Sequence, residues 1–150
     1  MLVGMTIRRA NPRKQGEIGL GRAIAWFTSQ GYAVSIPLTD SHPYDLAVDD
    51  GDRLQTVQVK TTTRRKPSGN FCVSLVTSGG NRSWRGTPRY LNRDRVDLLF
   101  VATDLGDDYV IPVGVIDARR EVTLDQRFVE YRVRPRRGEV RQLRLFEPRP

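Results

Sequence analysis

The segment from Asp45 to Lys60, DLAVDDGDRLQTVQVK, leaves the backbone few ways to fold. Asp50-Gly51 sits between two runs in which polar and apolar residues alternate, and an Asp-Gly pair favours the centre of a tight hairpin. Neighbouring residues of a strand point to opposite sides. In the second run Leu54, Thr56, Gln58, Lys60 and Thr62 therefore share one face, and Val57 and Val59 share the other. With Asp50 and Gly51 as the two central turn residues, residue 49 pairs with 52 and Asp45 stands opposite Thr56, diagonal to Gln58. The opposite face collects Leu46, Val48, Val57 and Val59, an apolar set suited to burial. A slip of one residue would turn every side chain to the wrong side.

Two readings of the polar face follow. In one it is the solvated side of an amphipathic hairpin. In the other, Asp45 and the Gln58 amide offer hard oxygen ligands to a metal, and Lys60 brings positive charge to a scissile phosphate, which together describe a metal-assisted phosphodiesterase site.

The preceding segment predicts a helix. Asn11 is an N-cap residue followed by Pro12 at the first helical position, where a missing N–H costs nothing. The helix runs through Trp26 and Phe27 towards Gly31, a natural C-terminal stop. Glu17, Leu20, Gly21 and Ile24 fall at i, i+3, i+4 and i+7, which places Glu17 on the apolar stripe. A negative charge near a helix start is also favoured by the dipole, by about 0.3–1 kcal/mol. Gly16, Gly19 and Gly21 each cost a helix interior roughly 1 kcal/mol relative to Ala, which suggests close approach of another backbone or a ligand.

The order Glu17, a strand Tyr32 to Pro37, Pro43-Tyr44-Asp45 and Gln58-Val59-Lys60 resembles the PD-(D/E)xK nuclease superfamily. Within it the chain is similar to the branch of archaeal-type Holliday junction resolvases and group I intron-associated homing endonucleases. The resemblance spans about Lys14 to Val115 and includes apolar strands at Val96 to Ala102 and Tyr109-Val110-Ile111-Pro112. It implies an α/β restriction-endonuclease-like core, with the first helix packed on a central mixed sheet of about five strands. It also implies a metal-dependent DNA endonuclease, of homing or restriction type or junction-resolving, that leaves a 5′-phosphate. By the same resemblance Asp45, Gln58, Glu17 and the Val59 carbonyl are the metal ligands, and Lys60 is the motif lysine. The cofactor is Mg²⁺, with Mn²⁺ able to substitute. Two features depart from the pattern: Tyr44 separates Pro43 from Asp45, and Gln58 replaces an acid. Charge compensation then falls to Asp45 and Glu17, and metal affinity should be modest. The alternative is a catalytically inactive nucleic-acid-binding module that retains the fold.

A chain of 150 residues with a net charge of +8 and a pI near 10.4 suits a polyanionic partner. Its length fits a domain that buries about 68–70% of its unfolded surface. Residues 1–116 are read as the nuclease-like domain. Residues 117–150 are read as a basic extension, with an added strand over Phe128 to Val133 and an extended arm from Pro135. Asp40 to Asp52 holds five aspartates and no Lys or Arg. Basic segments surround it, and Arg13, Lys14, Arg64, Arg65, Lys66, Arg82 and Arg85 are the expected DNA contacts, with Trp84 stacking on a base or closing its loop over the core. A short helical turn is expected near Tyr90 to Arg95. One such site cuts one strand, so a homodimer is expected. Cys72 lies alone in the apolar run FCVSLV and reads as a packing residue. His42, the only histidine, reads as a loop residue. No apolar run reaches the ~20 residues of a membrane span or forms a signal peptide, so a cytoplasmic location is expected.

Overall fold

The computed structural model of the protein describes residues 7, 10–77 and 88–133. Helix α1 (Pro12–Ser29) starts as its sequence demands: the Asn11 side chain accepts the Lys14 amide at 2.9 Å, and Pro12 occupies the first helical position. It ends ahead of Gly31, whose φ of +89° is open to glycine at no steric cost. The buried residues of α1 are Gly19, Ala23, Trp26 and Phe27. The expected stripe through Glu17, Leu20, Gly21 and Ile24 is therefore rotated: Leu20 and Ile24 flank the core, while Glu17 and Gly21 are exposed. Gly19 is the reason. A Cβ there would overlap Cγ2 of Thr61 and lie 3.5 Å from Cγ1 of Val59, so the helix rests on the sheet at this glycine. Gly16 and Gly21 meet nothing within 4 Å, and the close approach read into all three belongs to Gly19 alone.

Five strands form the central mixed sheet, in the order β1 (Ala33–Ser35), β2 (Leu46–Asp49), β3 (Leu54–Thr62), β7 (Leu98–Thr103), β8 (Tyr109–Pro112). The β3–β7 pair is parallel and its neighbours are antiparallel. Strand β7, LLFVAT, is buried along its whole length, as a continuous apolar run requires when both faces are covered. Leu98, Phe100 and Ala102 pack with Ala23, Trp26 and Phe27 of α1. Leu99 and Val101 face the other way, into a second core. Two short ribbons close that side: β4 (Phe71–Ser74) with β9 (Glu121–Leu124), and β5 (Val76–Thr77) with β6 (Arg89–Tyr90). Arg22 ties α1 to the β7–β8 turn, its Nε donating to the fully buried Asp108 at 3.0 Å and its Nη1 to the Thr103 carbonyl at 2.8 Å.

Two local expectations change. The β2–β3 turn is centred on Gly51 and Asp52, one residue later than expected: the Asp50 amide donates to the Arg53 carbonyl at 3.3 Å, and Asp50 Oδ1 accepts the amides of Asp52 and Arg53 at 2.9 and 2.8 Å. Asp49 accordingly pairs with Leu54 and Leu46 with Val57. The segment expected as a strand over Phe128 to Val133 forms a 3-10 helix, Gln126–Tyr131, started by Asp125, whose side chain accepts the Arg127 amide. It sets Phe128 into the second core. Near Tyr90 to Arg95, Arg89 and Tyr90 form β6, and the expected helical turn follows over Asn92 to Val96: the Asn92 carbonyl accepts the Val96 amide at 3.0 Å, and Asn92 Oδ1 accepts the amides of Asp94 and Arg95. The loop expected to carry Arg82, Trp84 and Arg85, and the arm from Pro135, lie outside the described residues.

Seating α1 through a glycine has a measurable consequence. Gly19→Ala should lower stability by about 1–2 kcal/mol in urea denaturation despite the better helix propensity of Ala. Thr61→Ser, which removes the overlapping methyl, should restore most of that loss in the double variant.

Candidate active site

The observed β2–β3 register brings the sequence-predicted face together more closely than a turn centred on Asp50-Gly51 would. With Leu46 opposite Val57, Asp45 lies one residue before β2, alongside Val57 to Val59 instead of opposite Thr56. The Asp45 amide donates to the Val57 carbonyl at 2.9 Å, and Asp45 Oδ2 accepts the Val59 amide at 2.7 Å. Asp45 is thereby held through both its backbone and its side chain. The Val59 carbonyl projects from the same edge as its amide, beyond the last residue of β2, because main-chain groups of alternate strand residues point to the same neighbour. Asp45 opens to solvent through the cleft, yet the protein around it strips enough water to raise its pKa; the Val59 hydrogen bond and Lys60 act in the opposite sense.

Gln58 is half-buried. Its Nε2 donates to the Pro43 carbonyl at 3.4 Å, while its Oε1 is buried with no hydrogen-bond partner among the described residues. An acceptor left in that state costs about 1–3 kcal/mol, so an occupant that satisfies it is favoured. Lys60 follows on the same face, its Nζ donating to the Thr77 hydroxyl at 2.7 Å. Partial burial lowers the Lys60 pKa and Asp45 pulls it back up.

These groups open into one cleft of about 720 Å³. One side is formed by Asp40, His42 and Pro43 of the β1–β2 connection, and the other by Thr77, Arg89, Tyr90, Asn92 and Arg95. The His42 ring packs on Tyr44, with centroids 5.2 Å apart. Thr77, Tyr90 and Asn92 were not among the residues expected from sequence. The only local signal was the position of Thr77 at the end of the apolar FCVSLV run; its meeting with Lys60 depends on how β5 folds over the sheet.

Other expected site residues lie elsewhere. Glu17 is exposed, accepts from Lys14 Nζ at 2.8 Å and has Arg13 Nε at 3.6 Å; the Lys14 hydrogen bond holds its carboxyl below the usual range. It does not line the cleft. Helix α1 covers the sheet face to which Val59 and Thr61 point, opposite that of Gln58 and Lys60. The Arg64-Arg65-Lys66 run is engaged by acids: Arg64 and Lys66 pair with Glu121, at 3.0 and 2.5 Å, and Arg65 with Asp104 at 3.3 Å. Hydrogen bonds from the Cys72 thiol and from Lys66 hold the Glu121 carboxyl down to about 2, so it is ionised wherever the fold operates.

The donor set fits a hard divalent cation. Asp45 supplies a carboxylate, Gln58 an unsatisfied amide oxygen and Val59 a main-chain carbonyl, all oxygen. Among the described residues no three His, Cys, Asp or Glu side chains cluster as a metal site, so Asp45 is the principal source of negative charge for this set.

Comparisons with known proteins bear on the family and the fold. A model of the PD-(D/E)XK endonuclease family matches residues 10–142. Among solved structures the chain is similar to I-Ssp6803I, a bacterial homing endonuclease. The TM-score is 0.65 with 28% sequence identity, over 85% of this chain and 86% of that one. No curated protein sequence matches significantly. Among the described residues no helix is long and apolar enough to cross a membrane.

The Lys60–Thr77 bond can be read directly. In nitrogen-15 NMR of the lysine ammonium groups, wild-type Lys60 should show slowed proton exchange; Thr77→Val should remove that protection and Thr77→Ser should retain it.

Proposed function

This chain belongs to the PD-(D/E)XK endonuclease family, and from that premise we propose that it is a Mg²⁺-dependent DNA endonuclease that hydrolyses phosphodiester bonds. The observation that carries the reading is the meeting of the Asp45 carboxylate, the orphaned Gln58 Oε1 and the Lys60 ammonium in one cleft. Nucleases of this family generally use divalent metals. Asp45, Gln58 and the Val59 carbonyl would hold the ion, which when bound supplies positive charge at the scissile phosphate and acidifies the attacking water.

The chain's own groups do the rest. Asp45, fixed by the Val59 amide, keeps its carboxylate aimed into the cleft. Lys60, steadied by Thr77, orients the water or stabilises the charge that builds on the phosphorus oxygens. A lowered pKa makes Lys60 a readier proton carrier than an exposed lysine. Glu17 joins this set only if its carboxylate exchanges Lys14 for the site. The likeness to a homing endonuclease favours site-specific duplex cleavage over junction resolution. Two copies of the chain would cut the two strands.

A second reading has its own support: Gln58 places a neutral amide where an acid would add charge, which suits a DNA-binding module that no longer cuts. Cleavage of supercoiled plasmid, a randomised duplex library and a four-way junction, in Mg²⁺, Mn²⁺ or EDTA, separates the two. The endonuclease reading expects metal-dependent cutting that falls about 10²–10³-fold in Asp45→Asn and in Lys60→Ala. DNA affinity in EDTA should stay within a few-fold in both. Salt-sensitive binding with no cutting of any substrate in either metal would establish the binding module instead.

A further inference from the structure

The wall of the cleft facing Asp45 carries positive charge that the proposed chemistry does not use. Arg95 lines it beside Tyr90. Two more arginines gather on that tyrosine: the Arg119 guanidinium lies 4.7 Å from the ring centroid and that of Arg120 lies 5.9 Å away. Arg120 Nη2 also donates to the Tyr90 hydroxyl at 3.1 Å. Tyr90 is half-buried and both arginines are exposed, and stacking of this kind holds a guanidinium with about 0.5–1 kcal/mol while leaving most of its N–H fork open to another acceptor. Among the described residues no carboxylate oxygen lies within 4.0 Å of the side-chain nitrogens of Arg95, Arg119 or Arg120. Arg64, Arg65 and Lys66 differ in this respect, since each has an acid partner.

We propose that Arg119 and Arg120, stacked on Tyr90, form together with Arg95 of the cleft lining the seat on which the DNA backbone enters the cleft, and that the Arg64 to Lys66 run is not part of it. A guanidinium fork matches two phosphate oxygens, so three of them can engage more than one phosphate. Tyr90 is the common support, fixing the two stacked arginines so that little side-chain freedom is lost on binding. The inference rests on the endonuclease reading and specifies where its substrate lies.

The test is the salt dependence of binding to a labelled duplex, by fluorescence anisotropy in EDTA. Arg119→Gln/Arg120→Gln should bind about tenfold more weakly near 0.1 M salt. Its slope of log K against log salt should be shallower by about 0.9 for each phosphate that is no longer neutralised. Arg95→Gln, whose side chain does not touch Tyr90, should lower the slope by a further similar step. Arg119→Lys/Arg120→Lys should keep most of the slope, which separates removal of charge from displacement of the ribbon, and Arg64→Gln/Lys66→Gln should leave it unchanged. If the wild type binds but the Gln variants keep its slope, or if the slope disappears in Arg64→Gln/Lys66→Gln, the seat is wrong and the endonuclease reading stands. If the wild type shows no salt-sensitive binding to DNA, both fall.

Discussion

The hydrogen bond from the Val59 amide to Asp45 Oδ2, 2.7 Å long, is the interaction on which the site depends. It fixes the Asp45 carboxylate beside β3, and it does so from the strand that carries Gln58 and Lys60. The register beneath it is set at the other end of the hairpin. Asp50 accepts two amides of the turn and donates its own to the Arg53 carbonyl, which centres the turn on Gly51 and Asp52 and moves the pairing by two residues from what a turn centred on Asp50-Gly51 implies. A two-residue change preserves faces, so Leu46, Val48 and Val57 are buried in either register. What changes is the place of Asp45: it meets Val57 and Val59, while Thr56 pairs with Ala47.

Strand β7 makes this arrangement rigid. Because it is covered on both sides, β3 is held in parallel register beside it, with Gln58 level with Leu99 and Lys60 level with Val101. Those neighbours anchor the second core, on which the short ribbons sit. The β5–β6 ribbon then reaches over the sheet edge and supplies Thr77 and Tyr90 to the cleft. Asp97 locks the start of the same strands together, its carboxylate accepting the Thr56 amide at 2.8 Å. Gln58 and Lys60 of the candidate site are thus carried on a packed regular strand, while Asp45 enters from the connection just before β2.

Features governed by local chemistry were legible in the sequence. Asn11-Pro12 and Gly31 bound the helix, the apolar run Val96 to Ala102 reads as a strand, and the alternation of QVK puts Gln58 and Lys60 on one face. The family resemblance, carried by Asp45 and QVK, held as well. The features that were missed depend on distant partners or on residues that apolar patterns undervalue. Gly19 is the point of closest approach between helix and sheet, but a glycine does not register in a hydrophobic stripe, and the stripe was therefore placed on Glu17. Arg64 and Lys66 look like free cations until Glu121, 55 residues after Lys66, is folded against them. Thr77 meets Lys60 across a separation of 17 residues that no local periodicity encodes. The strand expected over Phe128 to Val133 failed because Asp125 caps a 3-10 turn that buries Phe128 by a different route.

The central claim is that Asp45, Gln58 and Val59 together form the seat of a divalent cation. Titration of the nitrogen-15-labelled protein with substoichiometric Mn²⁺ tests it without requiring a DNA target. Paramagnetic broadening should appear first at the Gln58 side-chain amide and at the Val59 and Lys60 backbone amides, and Asp45→Asn should abolish it while leaving the rest of the spectrum in place. Broadening centred on the Asp49 to Asp52 turn, or broadening at Gln58 that survives in Asp45→Asn, would contradict the account.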